Sequence, residues 1–298
     1  MAAEQHISDM FTVNEREVEV GDRVIVIYDS FGGRFFFVNF VRINHVAILG
    51  AVFLALVLLF GRKKGFGAIV SLGLICMAIF LVFIPAILSG RDIYVATIII
   101  CVFAIVSTLL IVIGPNKKAL SAMLGCLGGV LLAGLLMFIM DIILGLTGAL
   151  DHETMALLNI STGEPIDLRA IIFAGVIIGA VGAIMDVAMS IASSLWEIRE
   201  AGSITDFASI VKSGVNIGKD ILGTMLNTLI LAYIGSSLSL ILLIVSHTTS
   251  YTELLNMEMV IVEFLRALVG SFGMLLTIPL TAVICGWLYS NKATPPHP

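Results

Sequence analysis

Apolar runs of about 20 residues recur along nearly the whole chain, and they constrain its fold more than any other feature. A helix of that length spans the hydrocarbon core of a bilayer with its backbone hydrogen bonds made internally. The composition agrees, because 59% of the 298 residues are hydrophobic and only 12% are charged. The chain is therefore predicted to be an all-α polytopic membrane protein and not a soluble domain.

The apolar runs predict about seven transmembrane helices, which form a helical domain over residues 45–291. Between the fifth and sixth spans, Ser203 and Asp206 have the spacing of a helix capping box. We therefore expect an amphipathic cytoplasmic helix at about 203–217, and a short cytoplasmic tail at 292–298. The predicted spans are 45–61, 66–89, 93–113, 119–147, 169–198, 221–246 and 260–289.

Lysine and arginine are concentrated in alternate connections between these spans. Cytoplasmic loops carry the excess of basic residues in membrane proteins, so this alternation predicts the orientation of the chain. The N-terminus is expected outside and the C-terminus in the cytoplasm. The basic residues on the predicted cytoplasmic side are Arg62, Lys63, Lys64, Lys117, Lys118, Arg199, Lys212, Lys219 and Lys292.

Residues 1–44 carry a β pattern and are predicted to be a partial extracytoplasmic domain. The segment 18–28 is rich in β-branched residues and contains a Gly21-Asp22 turn, and a second apolar stretch follows at 35–38. Two or three strands are too few for independent stability. We therefore expect that the chain is a fragment or trimmed form, or that a partner completes the β domain.

One face of the predicted fifth span is small and then acidic. At about 100° per residue, Asp186, Ser190, Ser193 and Glu197 fall within a narrow arc, which glycines extend toward the outer end. Carboxylates at membrane depth are costly and usually face a protein interior or a water-filled path. This face is interpreted as a path for ion or proton coupling or for substrate. The alternatives are a structural hydrogen bond for Asp186, and solvation or pairing with Arg199 for Glu197.

The sixth span offers a second polar face at helical spacing. Asp220, Thr224 and Asn227 lie on it, with Asn227 well inside the apolar run. We expect Thr224 and Asn227 to contribute ligands or relay water between the fifth and sixth spans, with Asp220 at the cytoplasmic edge. A structural hydrogen bond between helices, and an ordinary end-of-helix charge for Asp220, are the alternatives.

Proline and threonine in the seventh span form a secondary candidate. Thr277, Pro279 and Thr281 are expected to interrupt the helix, because proline removes a backbone donor and frees a carbonyl oxygen. Broken helices of this kind bind ions in many transporters. Ordinary proline kinks are the alternative interpretation.

Three charged residues lie toward the outer ends of their spans. Glu263 and Arg266 are three residues apart and are expected to form a structural pair. Asp141 is a further secondary candidate, as an outer gate or second protonatable site. Structural pairing of Asp141 with Arg169 or Arg266 is its alternative.

The sequence indicates no metal, no cofactor and no enzymatic activity. All four cysteines lie inside apolar runs without the spacing of metal ligands, and are read as small hydrophobic residues. The acidic groups Glu197, Glu200 and Asp220 lack a nucleophile–base pair, a histidine ligand set or a phosphate-binding loop nearby. The net charge of −5 is spread along the chain and predicts no nucleic-acid partner.

Several motifs carry a resemblance that covers nearly the whole chain. Their residues are Met185-Asp-Val-Ala-Met-Ser-Ile-Ala-Ser-Ser-Leu-Trp-Glu-Ile198, Gly218-Lys-Asp-Ile-Leu-Gly-Thr-Met-Leu-Asn-Thr-Leu229, Ile278-Pro-Leu-Thr-Ala282, Gly61-Arg-Lys-Lys-Gly65 and Val20-Gly-Asp-Arg-Val24. On these motifs the chain closely resembles the bacterial YibE/F-like family of multi-pass membrane proteins. The resemblance implies a bacterial cytoplasmic (inner) membrane location. Members usually begin with an additional membrane segment and a larger external β domain.

A more distant likeness covers roughly residues 170–290. Ser190 through Arg199, an amphipathic cytoplasmic helix and a Thr/Asn-bearing span ending at Gly235 look like the second half of SecF in the RND permease superfamily. Those proteins use the proton gradient through polar residues in the membrane, so the likeness implies transport.

The expected function is that of a secondary transporter or permease for an unidentified solute or ion. Asp186 would couple it to protons or a small cation. The alternative is a membrane scaffold or assembly subunit of a larger envelope complex, with no transport of its own. The expected partners are the lipid bilayer, a small solute or ion, and a homologous subunit or a second copy of the chain.

Overall fold

The computed structural model describes residues 3–4, 18–29, 34–150, 152–158, 165–202, 206–247 and 250–290. The chain divides into two compact units, residues 1–66 and 67–298. The division falls inside a helix, whereas the sequence places a domain boundary at residue 44. Residue 44 lies at the start of that helix, just after the last strand.

The first unit contains a small sheet of three strands, β1 (Ala3–Glu4), β2 (Val24–Asp29) and β3 (Arg34–Phe40). Their order is β1-β3-β2, with β1 parallel and β2 antiparallel to β3. The predicted glycine turn precedes β2, where Gly21 has a φ of 112° and the Asp22 amide donates to the Glu19 carbonyl oxygen. The β character of this region is therefore confirmed in the described residues.

The first long helix, α1 (Ile43–Ala78), is broken at Arg62. Arg62 has φ 47° and ψ −125°, outside the helical region, and a Cβ on Gly65 would overlap the carbonyl oxygen of Val57. In a straight helix, residues 57 and 65 would be about 12 Å apart, so the chain folds back at Arg62. The fold-back lies at the connection that the sequence predicts between the first two spans.

The remaining helices follow in order along the second unit. A π-helical turn (Ile79–Phe83) joins α1 to α2 (Ile84–Leu88). The others are α3 (Ile93–Ile113), α4 (Lys117–Leu144), α5 (His152–Leu157), α6 (Leu168–Glu200), α7 (Phe207–Ser236), α8 (Leu238–His247), α9 (Tyr251–Asn256) and α10 (Glu258–Tyr289).

Within the described part of the chain, six helical stretches are long and apolar enough to cross a membrane, which confirms an all-α polytopic architecture. The first of the six runs from Ile43 to Leu88 and contains the break at Arg62. The count of seven spans stays a prediction. The orientation of the termini stays a prediction.

The predicted amphipathic helix at 203–217 is not separate from the sixth span. Both belong to α7, and the helix continues through Lys219 and Asp220, because charged residues end an apolar run without ending a helix. Asp206 caps α7 by accepting a hydrogen bond from the Ser209 amide at 2.9 Å, whereas Ser203 lies outside the described residues. The helix is interrupted only at Ser237, which separates α7 from α8 and lies inside the predicted sixth span.

The predicted interruption at Pro279 is wrong, because α10 runs without a break from Glu258 to Tyr289. Proline removes one hydrogen bond from the helix, but neighbouring helices can hold the backbone in place. The hydroxyl of Thr277 donates to the carbonyl oxygen of Gly273 at 2.7 Å, within the same helix.

The core of the second unit lies where α4, α6 and α10 pack against one another, with α7 against α10. The two ends of this bundle are named here after Glu258 and Tyr289, the first and last residues of α10. At the Glu258 end, the carboxylate of Glu258 accepts hydrogen bonds from Thr147 and Gly148. At the Tyr289 end, the hydroxyl of Tyr289 donates to the Ala192 carbonyl oxygen at 3.3 Å.

Candidate functional site

Helix α6 has the two-sided character that the sequence predicts. Val187, Ile191 and Leu195 are buried in the core. On the opposite side, Asp186 and Glu197 are exposed, and Ser190 and Ser193 are partly exposed. The structure therefore turns the acidic face toward the outside of the bundle, although carboxylates at membrane depth were expected to face a protein interior or a water-filled path.

The polar residues of α7 also lie on the outside. Asp220, Thr224 and Asn227 are exposed, whereas Gly214 and Gly218 on the other side are buried against α10. A Cβ on Gly214 would lie 2.8 Å from the Cβ of Ala282, so α7 approaches α10 on its small-residue side. The hydroxyl of Thr224 donates to the Ile221 carbonyl oxygen at 2.9 Å.

Two contacts between α6 and α7 fix the depth of Asp186. The hydroxyl of Tyr233 lies 2.9 Å from the position that a Cβ on Gly179 would take, and Leu195 lies 2.9 Å from the equivalent position on Gly214. The two contacts show that α6 and α7 run antiparallel. Asp186 lies seven residues after Gly179 and nine before Leu195, so it is opposite residues 223–226 of α7.

Asp186 thus lies at the depth of Thr224 and close to that of Asn227. We call Asp186, Ser190, Ser193, Thr224 and Asn227 the polar face. Within the described residues, the carboxylate of Asp186 and the amide of Asn227 have no hydrogen-bond or ion-pair partner.

Nearer the Tyr289 end, Glu197 forms an ion pair with a different helix. Its Oε1 lies 3.8 Å from Nζ of Lys118 at the start of α4, and 70% of its side chain is exposed. The guanidinium of Arg199 lies over the Trp196 ring at 5.6 Å. Glu197 therefore has the surroundings of an interfacial residue.

At the Glu258 end, a half-buried polar cluster lies against the glycine part of the same α6 stripe. Nη1 of Arg266 donates to Oε1 of Glu263 at 2.7 Å, so the predicted pair is present. Nη2 of Arg266 lies 3.9 Å from the position that a Cβ on Gly175 would take. Gly179 makes room for the hydroxyl of Tyr233, which belongs to α7, whereas a Cβ on Gly175 would only reach ordinary contact distance from Arg266 of α10.

Tyr233 is part of this cluster, although nothing in the sequence marks it as a candidate. Its hydroxyl oxygen is buried and has no hydrogen-bond partner among the described residues, and the same holds for Oε2 of Glu263 and Nε of Arg266. A tyrosine in an apolar run gives no signal by itself. Only its position opposite Gly179 shows that its hydroxyl meets the α6 stripe.

Comparison with family models connects these helices to known proteins. The model for YibE/F-like proteins matches residues 49–291, which include the polar face and the half-buried cluster. The chain belongs to the YibE/F-like family. Comparisons with curated proteins and with solved structures gave no match. Together with its apolar helices, family membership makes this chain a multi-pass membrane protein.

Asp141 occupies a separate position in this YibE/F-like chain, near the Glu258 end of α4. It is half-buried, and its Oδ1 has no hydrogen-bond partner in the described part of the chain. Among the described residues, no ion pair of 4 Å or less joins it to Arg169 or Arg266, the two partners named in the structural alternative. Its proposed part as a gate or protonatable site stays a prediction.

Thr277 and Thr281 face glycines of α4 in the core of the YibE/F-like bundle. A Cβ on Gly129 would overlap Oγ1 of Thr277, and a Cβ on Gly125 would overlap Oγ1 of Thr281. Both threonines are fully buried. With Pro279 in an unbroken helix, these residues have the surroundings of a close helix–helix contact.

Among the described residues, no group of three or more His, Cys, Asp or Glu side chains is arranged to hold a metal ion. Cys101, Cys126 and Cys285 are buried free thiols, and Cys76 is an exposed free thiol.

Proposed function

We propose that this YibE/F-like protein is a secondary transporter or permease of the bacterial cytoplasmic membrane. It moves a solute or ion whose flux is coupled to protons or a small cation at Asp186. The observation that carries the proposal is the unpartnered carboxylate of Asp186 near the middle of the 33-residue helix α6. The proposal needs no covalent chemistry and no cofactor.

The energetics of a carboxylate at this depth support reversible ion binding. A charged aspartate at the centre of a bilayer costs about 3 kcal/mol on insertion scales. Binding a proton or a cation removes most of that charge. Asp186 has no basic side chain bonded to it within the described chain, so a mobile ion is the simplest counterpart.

Neighbouring polar groups extend the site along α6 and onto α7. Ser190 and Ser193 continue the stripe toward the Tyr289 end, where Glu197 and Asp220 are exposed. Thr224 and Asn227 stand at about the depth of Asp186 on the adjacent helix. A hydroxyl and an amide both donate and accept hydrogen bonds, so these side chains are suited to hold water or a partly dehydrated ion.

The test is proton flux into liposomes that contain the purified protein, under an imposed potential and with a pH dye inside. Asp186→Asn keeps the shape of the side chain and removes its charge, and we expect it to abolish coupled flux while the protein still folds. Glu200→Gln, an exposed carboxylate at the end of the same helix, serves as the matched control and should transport normally. Normal flux through Asp186→Asn would refute Asp186 as the coupling residue.

A second candidate function, a membrane scaffold or assembly subunit, is favoured by the exposure of the polar face. Polar groups on the outside of a bundle suit an interface with another membrane protein, either a homologous subunit or a second copy. On this alternative, Asp186→Asn lowers thermal stability or co-purification of the partner, and no ion moves. Absence of flux in both the native chain and the variant would favour it.

A further inference from the structure

The half-buried cluster of Glu263, Arg266 and Tyr233 contains three buried polar atoms without a hydrogen-bond partner in the described residues. They are Oε2 of Glu263, Nε of Arg266 and Oη of Tyr233. Buried polar groups are nearly always paired, and an exception calls for an explanation such as a bound water molecule or a functional role. Structural pairing explains only the bond between Arg266 and Oε1 of Glu263.

The cluster shares one stripe of α6 with Asp186. Arg266 lies against Gly175, and Tyr233 lies against Gly179. Gly182 and Asp186 follow on the same stripe, one and two turns farther along the helix. Gly182 is exposed, and a Cβ on it would meet no atom within 4 Å, so no protein atom of the described residues covers the stripe at that point.

Resting on the transport function proposed above, we propose that the cluster of Glu263, Arg266 and Tyr233 is a proton-transfer station that delivers protons to Asp186. The coupling ion is then a proton and not a metal cation. A proton entering from the Glu258 end binds Oε2 of Glu263. Water and the Tyr233 hydroxyl, which accepts one proton and donates its own, carry the charge to the carboxylate of Asp186.

The charges of the cluster give this transfer a direction. Arg266 stabilises the ionised form of Glu263, so a proton on Glu263 leaves the arginine charge uncompensated and is short-lived. Asp186 has no such ion pair in the described chain, and its neutral form suits the membrane. The proton therefore passes from Glu263 to Asp186.

The same charges disfavour a metal cation. A hard cation needs several oxygen ligands at once, whereas one carboxylate oxygen of Glu263 is already occupied by the guanidinium. The positive charge of Arg266 also repels a second cation at close range. A proton needs only one lone pair at each step.

Tyr233→Phe is the decisive variant in the liposome flux assay. It removes only the hydroxyl, which has no hydrogen-bond partner in the described structure, so a purely structural tyrosine would lose neither folding nor flux. We expect proton flux to fall about tenfold or more, because a relay group is missing. Tyr251→Phe, at an exposed tyrosine of α9, is the control and should leave flux unchanged.

Two further variants test the relay independently. Glu263→Gln keeps the side-chain shape and removes the proton acceptor, so flux should fall as for Tyr233→Phe. Gly182→Val places an apolar side chain on the stripe between Gly179 and Asp186, where an added Cβ would meet no atom within 4 Å, and should also reduce flux. Gly73→Val, at another glycine with open space, is its control.

The outcomes separate this proposal from the transport proposal. One outcome overturns the proton-transfer station and leaves the transport proposal standing. In that outcome Asp186→Asn loses flux, while flux stays normal in Tyr233→Phe, Glu263→Gln and Gly182→Val. Absence of flux in the native chain overturns both. Flux of sodium ions in place of protons overturns the proton as the coupling ion.

Discussion

The hydroxyl of Thr277 on α10 occupies the space where a side chain on Gly129 of α4 would begin. One turn away, Thr281 stands in the same relationship to Gly125. Two glycines four residues apart let helix backbones approach closely, which is how membrane helices gain van der Waals contact without a hydrophobic driving force between them. Both threonines are fully buried, so this contact lies inside the bundle, between α4 and α10.

Gly129→Ala is expected to destabilise the bundle by about 1–3 kcal/mol, because the added methyl group must push Thr277 and its helix aside. Thermal unfolding of the detergent-solubilised protein measures the effect. Gly73→Ala adds a methyl group where no atom lies within 4 Å, and should be neutral or slightly stabilising. Equal stability of the two variants would show that α4 and α10 do not meet at Gly129.

Glu258→Ala should loosen the connection after α4. The carboxylate accepts hydrogen bonds of 2.7 Å from the Thr147 amide, the Thr147 hydroxyl and the Gly148 amide. Their joint loss is expected to cost about 1–3 kcal/mol. Hydrogen exchange at the amides of residues 147 and 148 should speed up in the variant. Glu253→Ala, an exposed carboxylate on α9, is the control and should leave those amides unchanged.

Arg62→Gly should raise stability by about 1 kcal/mol. Arg62 has a φ of 47°, which a side chain adopts at a cost of that order and glycine adopts freely. Lys63→Gly places glycine beside the turn, at a position without a positive φ, and should lower stability. Thermal unfolding of both variants decides the point. A loss of stability in Arg62→Gly would mean that the side chain of Arg62 contributes more than its backbone costs.

The stability contributed by Asp206 should depend on pH. The Ser209 hydrogen bonds hold the pKa of the Asp206 carboxyl below its ordinary value. The contribution is therefore fully present above the ordinary aspartate pKa and is lost as the pH falls through the lowered one. Asp206→Ala should be less stable than the native chain at neutral pH and equally stable in acid. Asp206→Asn keeps a capping group without titrating, so its stability should lack this pH dependence.

Local rules predicted much of what the structure shows. The bounds of α3 coincide with the predicted third span at 93–113, because a polar turn flanks an uninterrupted apolar run on each side. The pair of Glu263 with Arg266 depends on residues three positions apart, so sequence spacing is enough to find it. The spacing of Ser203 and Asp206 predicted a capping box in which Asp206 takes the place of the usual glutamate, whereas Asp206 itself is the cap of α7. Charge and hydropathy did not predict the course of α7, because Lys219 and Asp220 change its surroundings and not its helical conformation.

The amino-acid sequence by itself determined the membrane class of the protein, the bounds of helices such as α3 and the existence of two different sides on α6. Only the tertiary structure decided which side of α6 faces the core, that Tyr233 meets Gly179, and that Thr277 meets Gly129. The physical reason is that lipid and protein interior are both apolar, so hydrophobic periodicity shows that two sides differ without saying which one packs. That choice depends on the fit between small and large side chains on helices far apart in sequence.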